Sequence, residues 1–358
     1  MNYIDFIKLY HSYINNFKIE FVSKNEITDL DKKNIYENFV SSPFISNELK
    51  EKLLKKFQSK IYDYIFPLNT SNGLINFHFI SDKSSKAINN LKKYYFFIIY
   101  IVLSIGKNNF LPNVFINIIT VNVHKKISRP ITINDINSAS TKINHPLFGG
   151  PIYIWRNDEI EKVLIHETLH SVLYDYDIIS QELNPELKKL EQTIDINGRG
   201  LNINEAYTEL CATFIMTLFN KKKSSILKQL NEMLKHSLEN CAKLFEKYDV
   251  NDPRKCTFID KLDKCLYYQE ASAFSYIVIK TGFLWAILKN CKLNGKQLNK
   301  IKCMVEFLSI GFTGRIGKKY QEMIVGILRN DKFNKSVEKY MGKTERGRPK
   351  NFYFTIFH

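Results

Sequence analysis

The chain has 358 residues, of which 44% are hydrophobic and 25% charged. That balance excludes a largely disordered protein and allows one large domain or two ordinary ones. The formal charge is +16, but the lysines are spread out. The densest basic runs, Lys221-Lys222-Lys223 and the group Arg346, Arg348 and Lys350, are short. A solvated basic surface is expected, not nucleic-acid binding as the primary function.

Six cysteines form no Cys-x-x-Cys pair, so a cysteine metal site is not expected. Met1 to Lys8 lacks a signal-type apolar core, and free thiols in a reducing compartment follow as the expectation. The most apolar run, Tyr94 to Ile105, is shorter than the ~20 residues of a membrane span. It reads as a buried core element of a soluble, cytoplasmic protein with no membrane span.

In chain order, apolar residues at three- and four-residue spacing predict helices over Asp31–Phe39 and Asn47–Phe66, the second capped by Ser46 or Asn47. Gly73 to Phe79 alternates as a strand does. Ser84 to Ile105 reads as a long helix, polar first and apolar later. The β-branched stretch Asn113 to Val123 reads as a strand. Asp135 to Asn144 is polar and turn-like, with Asn137, Ser138 and Thr141 as residues that can line a cleft.

Gly149-Gly150-Pro151 then punctuates the chain. Ile152 to Trp155 is a short strand that could pair with an extended peptide. A helix from Asp158 to Tyr174 follows, capped by Asn157 or Asp158. Later helices are expected over Pro185–Gln192, capped by Asn184, and over Leu201–Leu218, Ser224–Phe245, Glu270–Leu288 and Lys300–Phe307. Thr313 to Gly317 reads as a loop, and a basic, aromatic tail closes the sequence.

The helix at Asp158–Tyr174 carries His166-Glu167-Thr168-Leu169-His170. Two imidazoles four residues apart share one helix face. They can reach one ion with bonds of about 2.0–2.1 Å. The glutamate beside the first histidine is placed to take a proton from a water activated there. A catalytic zinc usually takes a third protein ligand. His124, His145, His236 and His358 have no supporting context, whereas Glu205 and Glu209 lie one turn apart on one helical face. Oxyanion donors would come from Tyr207, Tyr276, Lys280 or Arg315. Tyr276 and Lys280 stand four apart on an apolar helix, an unusual place for a lysine.

The pair of motifs, His166-Glu167-Thr168-Leu169-His170 and Asn204-Glu205-Ala206-Tyr207-Thr208-Glu209, resembles the gluzincin group of metallopeptidases, the thermolysin-like set. The resemblance covers about residues 150–220. It implies zinc held by His166, His170 and Glu205, with Glu167 as general base and acid. Asn204 and Glu209 would support the ligands from the next layer. Glu209 departs from the family's aspartate by a longer arm of the same charge. Glu205 lies 35 residues beyond His170, further than in thermolysin itself.

The implied fold is α+β and mostly helical: a zincin-like catalytic domain with a small mixed sheet, an active-site helix and a glutamate helix. The expected division is a helical N-terminal extension over 1–72, the metallopeptidase domain over 73–342 and a tail over 343–358. With its Lys-, Asn- and Ile-rich composition, as an AT-rich genome produces, the chain carrying His166 to His170 and Asn204 to Glu209 also resembles metallopeptidase-like proteins of large DNA viruses. That resemblance would put it in host cytoplasm or virion.

The expected function is a zinc-dependent peptidase acting on protein or peptide. Two rivals stand beside it. One is a catalytically silent zinc-binding structural or virion protein. The other is a protease acting on nucleic-acid-bound proteins.

Overall fold

The computed structural model describes residues 2–125, 132–179, 181–195, 201–219, 226–248, 267–268, 272–290, 292–293, 296–297, 299–313 and 317–341. The chain forms two compact units, Met1–His124 with Asn137–Tyr174, and Lys125–Ile136 with Asp175–His358.

The first unit begins with α1 (Tyr3–Asn16), β1 (Ser23–Glu26), α2 (Asp29–Val40), α3 (Asn47–Phe57), β2 (Tyr62–Thr70), β3 (Gly73–Ser81), α4 (Ser85–Ser104) and β4 (Asn113–Val121). A single turn, α5 (Ile133–Ile136), belongs to the second unit. The first unit resumes with β5 (Ala139–Thr141), β6 (Ile152–Arg156) and α6 (Ile160–Ser171). Its six strands form one mixed sheet in the order β1-β2-β3-β4-β6-β5. β3, β4 and β6 run parallel, while β1, β2 and β5 are antiparallel to their neighbours.

Parallel neighbours need a crossover, and α4 supplies the one between β3 and β4. Ser84 accepts a hydrogen bond from the Ala87 amide and caps it. The apolar run read from the sequence lies here, with Tyr94 to Ile99, Ile101 and Val102 buried and Tyr95, Phe96 and Phe97 laid against aromatic residues. Phe96 stands 5.1 Å from Phe77 and 5.8 Å from Phe66, ring centre to ring centre. Among the described residues no helix is long and apolar enough to cross a membrane. A second cluster unites Phe39, Leu49, Leu53 and Phe57 with Ile119, Val121, Tyr153 and Trp155.

These contacts correct the expected N-terminal extension. Residues 1–72 supply two strands of the sheet and part of its core, and the expected boundary at 72/73 falls in the β2–β3 hairpin. The helix expected over Asn47–Phe66 stops at Phe57, and Tyr62–Phe66 are strand. Pro67 is tolerated because β1 pairs with β2 only as far as Ile65, so the proline's missing N–H costs no ladder bond.

The second unit contains α7 (Tyr176–Ile179), α8 (Pro185–Thr193), β7 (Ile194–Asp195), α9 (Ile203–Phe219), α10 (Ile226–Tyr248) and β8 (Tyr267–Tyr268). A π-helical turn (Ser275–Ile279) leads into α11 (Lys280–Asn290). β9 (Lys292–Leu293), β10 (Lys296–Gln297), α12 (Lys300–Thr313), α13 (Gly317–Leu328) and α14 (Asp331–Glu338) complete it. Its centre is aromatic. Phe283 stacks on Tyr320 at 5.1 Å, and Tyr207 lies 4.9 Å from Phe307.

Cys211 and Cys241 are buried free thiols, but Cys303 is disulfide-bonded. This corrects the expectation of thiols throughout, since spacing along a sequence does not limit which cysteines meet in space. The tail over 343–358, with His358, and the centre of the Thr313–Gly317 loop, with Arg315, lie outside the described residues.

The chain is thus mostly helical, with a small mixed sheet confined to its first unit.

Candidate metal centre

The site builds from α6. Only Asn157, Asp158 and Glu159 separate this helix from β6. The expected caps have other partners: Asn157 accepts from the Lys83 ammonium at 2.9 Å, and the Asp158 carboxylate meets His124 Nδ1 at 2.9 Å. Glu159 turns the chain instead, in a left-handed conformation at φ 53° with no side-chain cap bond. For a side chain with a Cβ that conformation costs about 1–2 kcal/mol.

The helix ends at Ser171, three residues earlier than expected. Leu173 is left-handed at φ 55°. Its amide bonds the His170 carbonyl (2.9 Å), and the Tyr174 amide bonds the Leu169 carbonyl (3.0 Å). This is the Schellman pattern, with leucine where glycine is usual.

The histidines face each other. His166 Nε2 and His170 Nε2 are 3.0 Å apart, and both residues are more than nine-tenths buried. Two bonds of about 2.0–2.1 Å to one tetrahedral ion would set their donors about 3.3 Å apart, so the pair already has nearly the bite of a shared cation. Glu167 lies between them in sequence and is buried too. Thr141, at the end of β5, donates its hydroxyl to Glu167 Oε2 at 2.7 Å, with the Glu167 carbonyl at 3.1 Å.

The strand expected to receive a peptide, Ile152–Trp155, is interior, since β4 and β5 occupy its two sides. The edge strand on this side of the sheet is β5. Sequence reading placed it in a polar turn, because three half-buried residues give no period to recognise.

Glu205 stands in the first turn of α9, and side chains fix that turn residue by residue. Asn202 donates to Ser272 Oγ at 2.9 Å. The Ile203 carbonyl accepts from the Tyr320 hydroxyl at 2.9 Å. Asn204 donates to Asp175 Oδ2 at 2.9 Å. Tyr207 donates to the Phe307 carbonyl at 2.6 Å and accepts from the Gly311 amide at 2.8 Å. Asp175, fully buried, escaped the sequence reading. Its position just after the histidine helix was the available signal.

One ligand atom each from His166, His170 and Glu205 lies within 4.8 Å of the others, a group that could hold a metal ion. Two imidazoles and a carboxylate suit borderline cations such as zinc. No other such group of histidine, cysteine, aspartate or glutamate occurs among the described residues.

The remaining expected site residues lie in the second unit. Glu209 is buried one turn beyond Glu205. Tyr276 is half-buried in the π-helical turn. Lys280 is buried at the start of α11, beside Cys241. Burial pushes that thiol up to about 12, against the lowering influence of Thr281 and the Lys280 charge.

Among the other histidines, His78 pairs with Asp63 at 2.8 Å and His236 meets Asn240 at 3.2 Å. Against known protein families, curated proteins and solved structures, the chain finds no match.

Proposed function

We propose that the chain is a zinc-dependent peptidase of the gluzincin kind, with His166, His170 and Glu205 as the metal ligands. The observation that carries this reading is the gathering of those three donors with a glutamate carboxylate on the same helix, held by Thr141. Zinc, when bound, supplies Lewis acidity to a carbonyl oxygen and makes water a stronger acid near neutral pH.

The protein's own residues do the rest. Glu167 takes a proton from water as the water oxygen bonds to the scissile carbonyl carbon. The carbon–nitrogen bond then breaks, and Glu167 returns the proton to the leaving amine. Tyr276 and Lys280 are the donors assigned to the developing oxyanion. Asn204 and Glu209 orient the ligands. The open edge of β5 offers an extended peptide a strand to pair with.

Metal analysis of the full-length protein, with cleavage of fluorescein-labelled casein, tests the reading. Wild type should carry about one zinc per chain, and Glu205→Ala and His170→Ala should lose it. Glu167→Gln should keep the metal and lose about 10²–10⁴-fold in turnover. Undiminished hydrolysis by Glu167→Gln would overturn the mechanism, and a wild type that binds no metal would overturn the site.

A further inference from the structure

We infer that Thr141 is the positioning residue for Glu167, and that through it the open edge of the sheet aims the general base. The catalytic half of this inference rests on the peptidase reading; the contact itself does not.

Among the described residues β5 pairs with β6 alone, in the register Ala139↔Ile154, Ser140↔Tyr153, Thr141↔Ile152. The Trp155 amide bonds the Ser138 carbonyl, and the Lys142 amide bonds the Pro151 carbonyl. Those two bonds fix the alternation of the antiparallel ladder. Residues 138, 140 and 142 spend their backbone groups on β6, so Ala139 and Thr141 direct theirs to the open edge. The Thr141 side chain stands out of the sheet on the face that α6 covers, where its hydroxyl reaches Glu167.

One hydroxyl carries one proton. With Oε2 at 2.7 Å and the Glu167 carbonyl at 3.1 Å, the carboxylate oxygen takes the stronger bond. Oε2 is thereby held against Thr141, which fixes the plane of the carboxylate. A peptide laid along β5 would bond the backbone of the residue whose side chain holds the base. Binding substrate would then stiffen Thr141 and narrow the range of Glu167 orientations at the moment of use.

Lys142, the next residue, is fixed by a close approach. A Cβ at Gly150 would fall 1.9 Å from the Lys142 carbonyl oxygen. The position of Thr141 is therefore set by backbone on both sides, as a positioning residue requires.

Two measurements on the full chain test this. The first needs no activity. Thr141→Val, Glu167→Leu and the double variant are compared by thermal denaturation of metal-free protein. Non-additive midpoint shifts are expected, and additive shifts overturn the contact. The second uses fluorescein-labelled casein. Thr141→Val should lower kcat about 10–100-fold at little change in KM and unchanged zinc content, and Thr141→Ser should restore it. Equal kcat in Thr141→Val, or a loss that Thr141→Ser does not rescue, overturns the positioning role even if coupling is seen. A wild type without hydrolysis overturns the catalytic half with the peptidase reading and leaves the first measurement to decide the contact.

Discussion

The histidine helix and the glutamate helix are held in opposite ways. α6 is fixed by backbone at both ends: a left-handed Glu159 before it, a Schellman turn at Leu173 after it, and Gly149 and Gly150 bonded to Ser171. Each of these partners lies within 22 residues along the sequence. α9 is fixed by side-chain hydrogen bonds to residues far along the chain, Ser272, Phe307 and Tyr320, at separations of 70, 100 and 117 residues. A backbone-held element tolerates surface change and fails when a Cβ intrudes. A side-chain-held element fails one hydroxyl at a time. The difference predicts where each helix is vulnerable.

The largest effect should come from Gly150→Ala. The new Cβ would lie 1.9 Å from the Lys142 carbonyl oxygen, which is backbone and cannot swing aside. The Gly150 carbonyl also accepts from Ser171 Oγ at 2.9 Å, so the strain reaches the end of α6. A loss of about 3 kcal/mol or more is expected by chemical denaturation, and on the proposed peptidase reading casein hydrolysis falls with it. A variant as stable as wild type would show that the backbone does not hold α6 as described.

A smaller effect is expected from Tyr207→Phe. The Tyr207 hydroxyl sits between the Phe307 carbonyl and the Gly311 amide, the two ends of one rung of α12. Removing it leaves a buried donor and acceptor to find each other, against the packing of the Tyr207 and Phe283 rings on Phe307. A cost of about 1–3 kcal/mol follows, together with, on the proposed reading, weaker zinc retention in competition with a chelator, because Glu205 stands in the first turn of the same helix. Unchanged zinc affinity at lowered stability would separate the anchoring of α9 from the geometry of the metal group.

The same contrast explains what could be read from the sequence. His166, Glu167 and His170 declare themselves because their partnership is local, four residues on one helix. Asn204 and Glu205 declare themselves through a second short pattern, and α4, β3, β4 and β6 through period and β-branching. What escaped depends on distant partners. Tyr62, Ile65 and Phe66 fit a helical spacing as well as a strand, and only pairing with β3 decides for the strand. Thr141 looks like any polar turn residue until β5 pairs with β6 and turns its hydroxyl to Glu167. Asp175 and Ser272 carry no motif at all. The left-handed turn at Glu159 is invisible in the sequence, because nothing in a glutamate signals that backbone.

The smallest effect tests whether the two units respond separately. His78 on β3 bonds Asp63 on β2 at 2.8 Å, and its ring stacks on Phe115 of β4 at 4.8 Å. The hydrogen bond to Asp63 raises the His78 pKa above the usual imidazole value of about 6.5, with burial opposing it and the Asp63 charge reinforcing it. A raised folded-state value means that the protonated ring stabilises the fold. That stabilisation is complete below about pH 6.5 and is lost as pH rises through the raised value. Three strands of the sheet meet at this ring, and its partners Asp63, Asn113 and Phe115 all belong to the first unit. Hydrogen exchange of β2, β3 and β4 amides, corrected for the intrinsic pH dependence, should therefore accelerate from pH 6 to pH 8, and amides of α9 should not follow. Asp63→Asn should flatten that dependence. Equal loss of protection in the sheet and in α9 would mean that the two units open together, and that the backbone-held and side-chain-held helices share one stability.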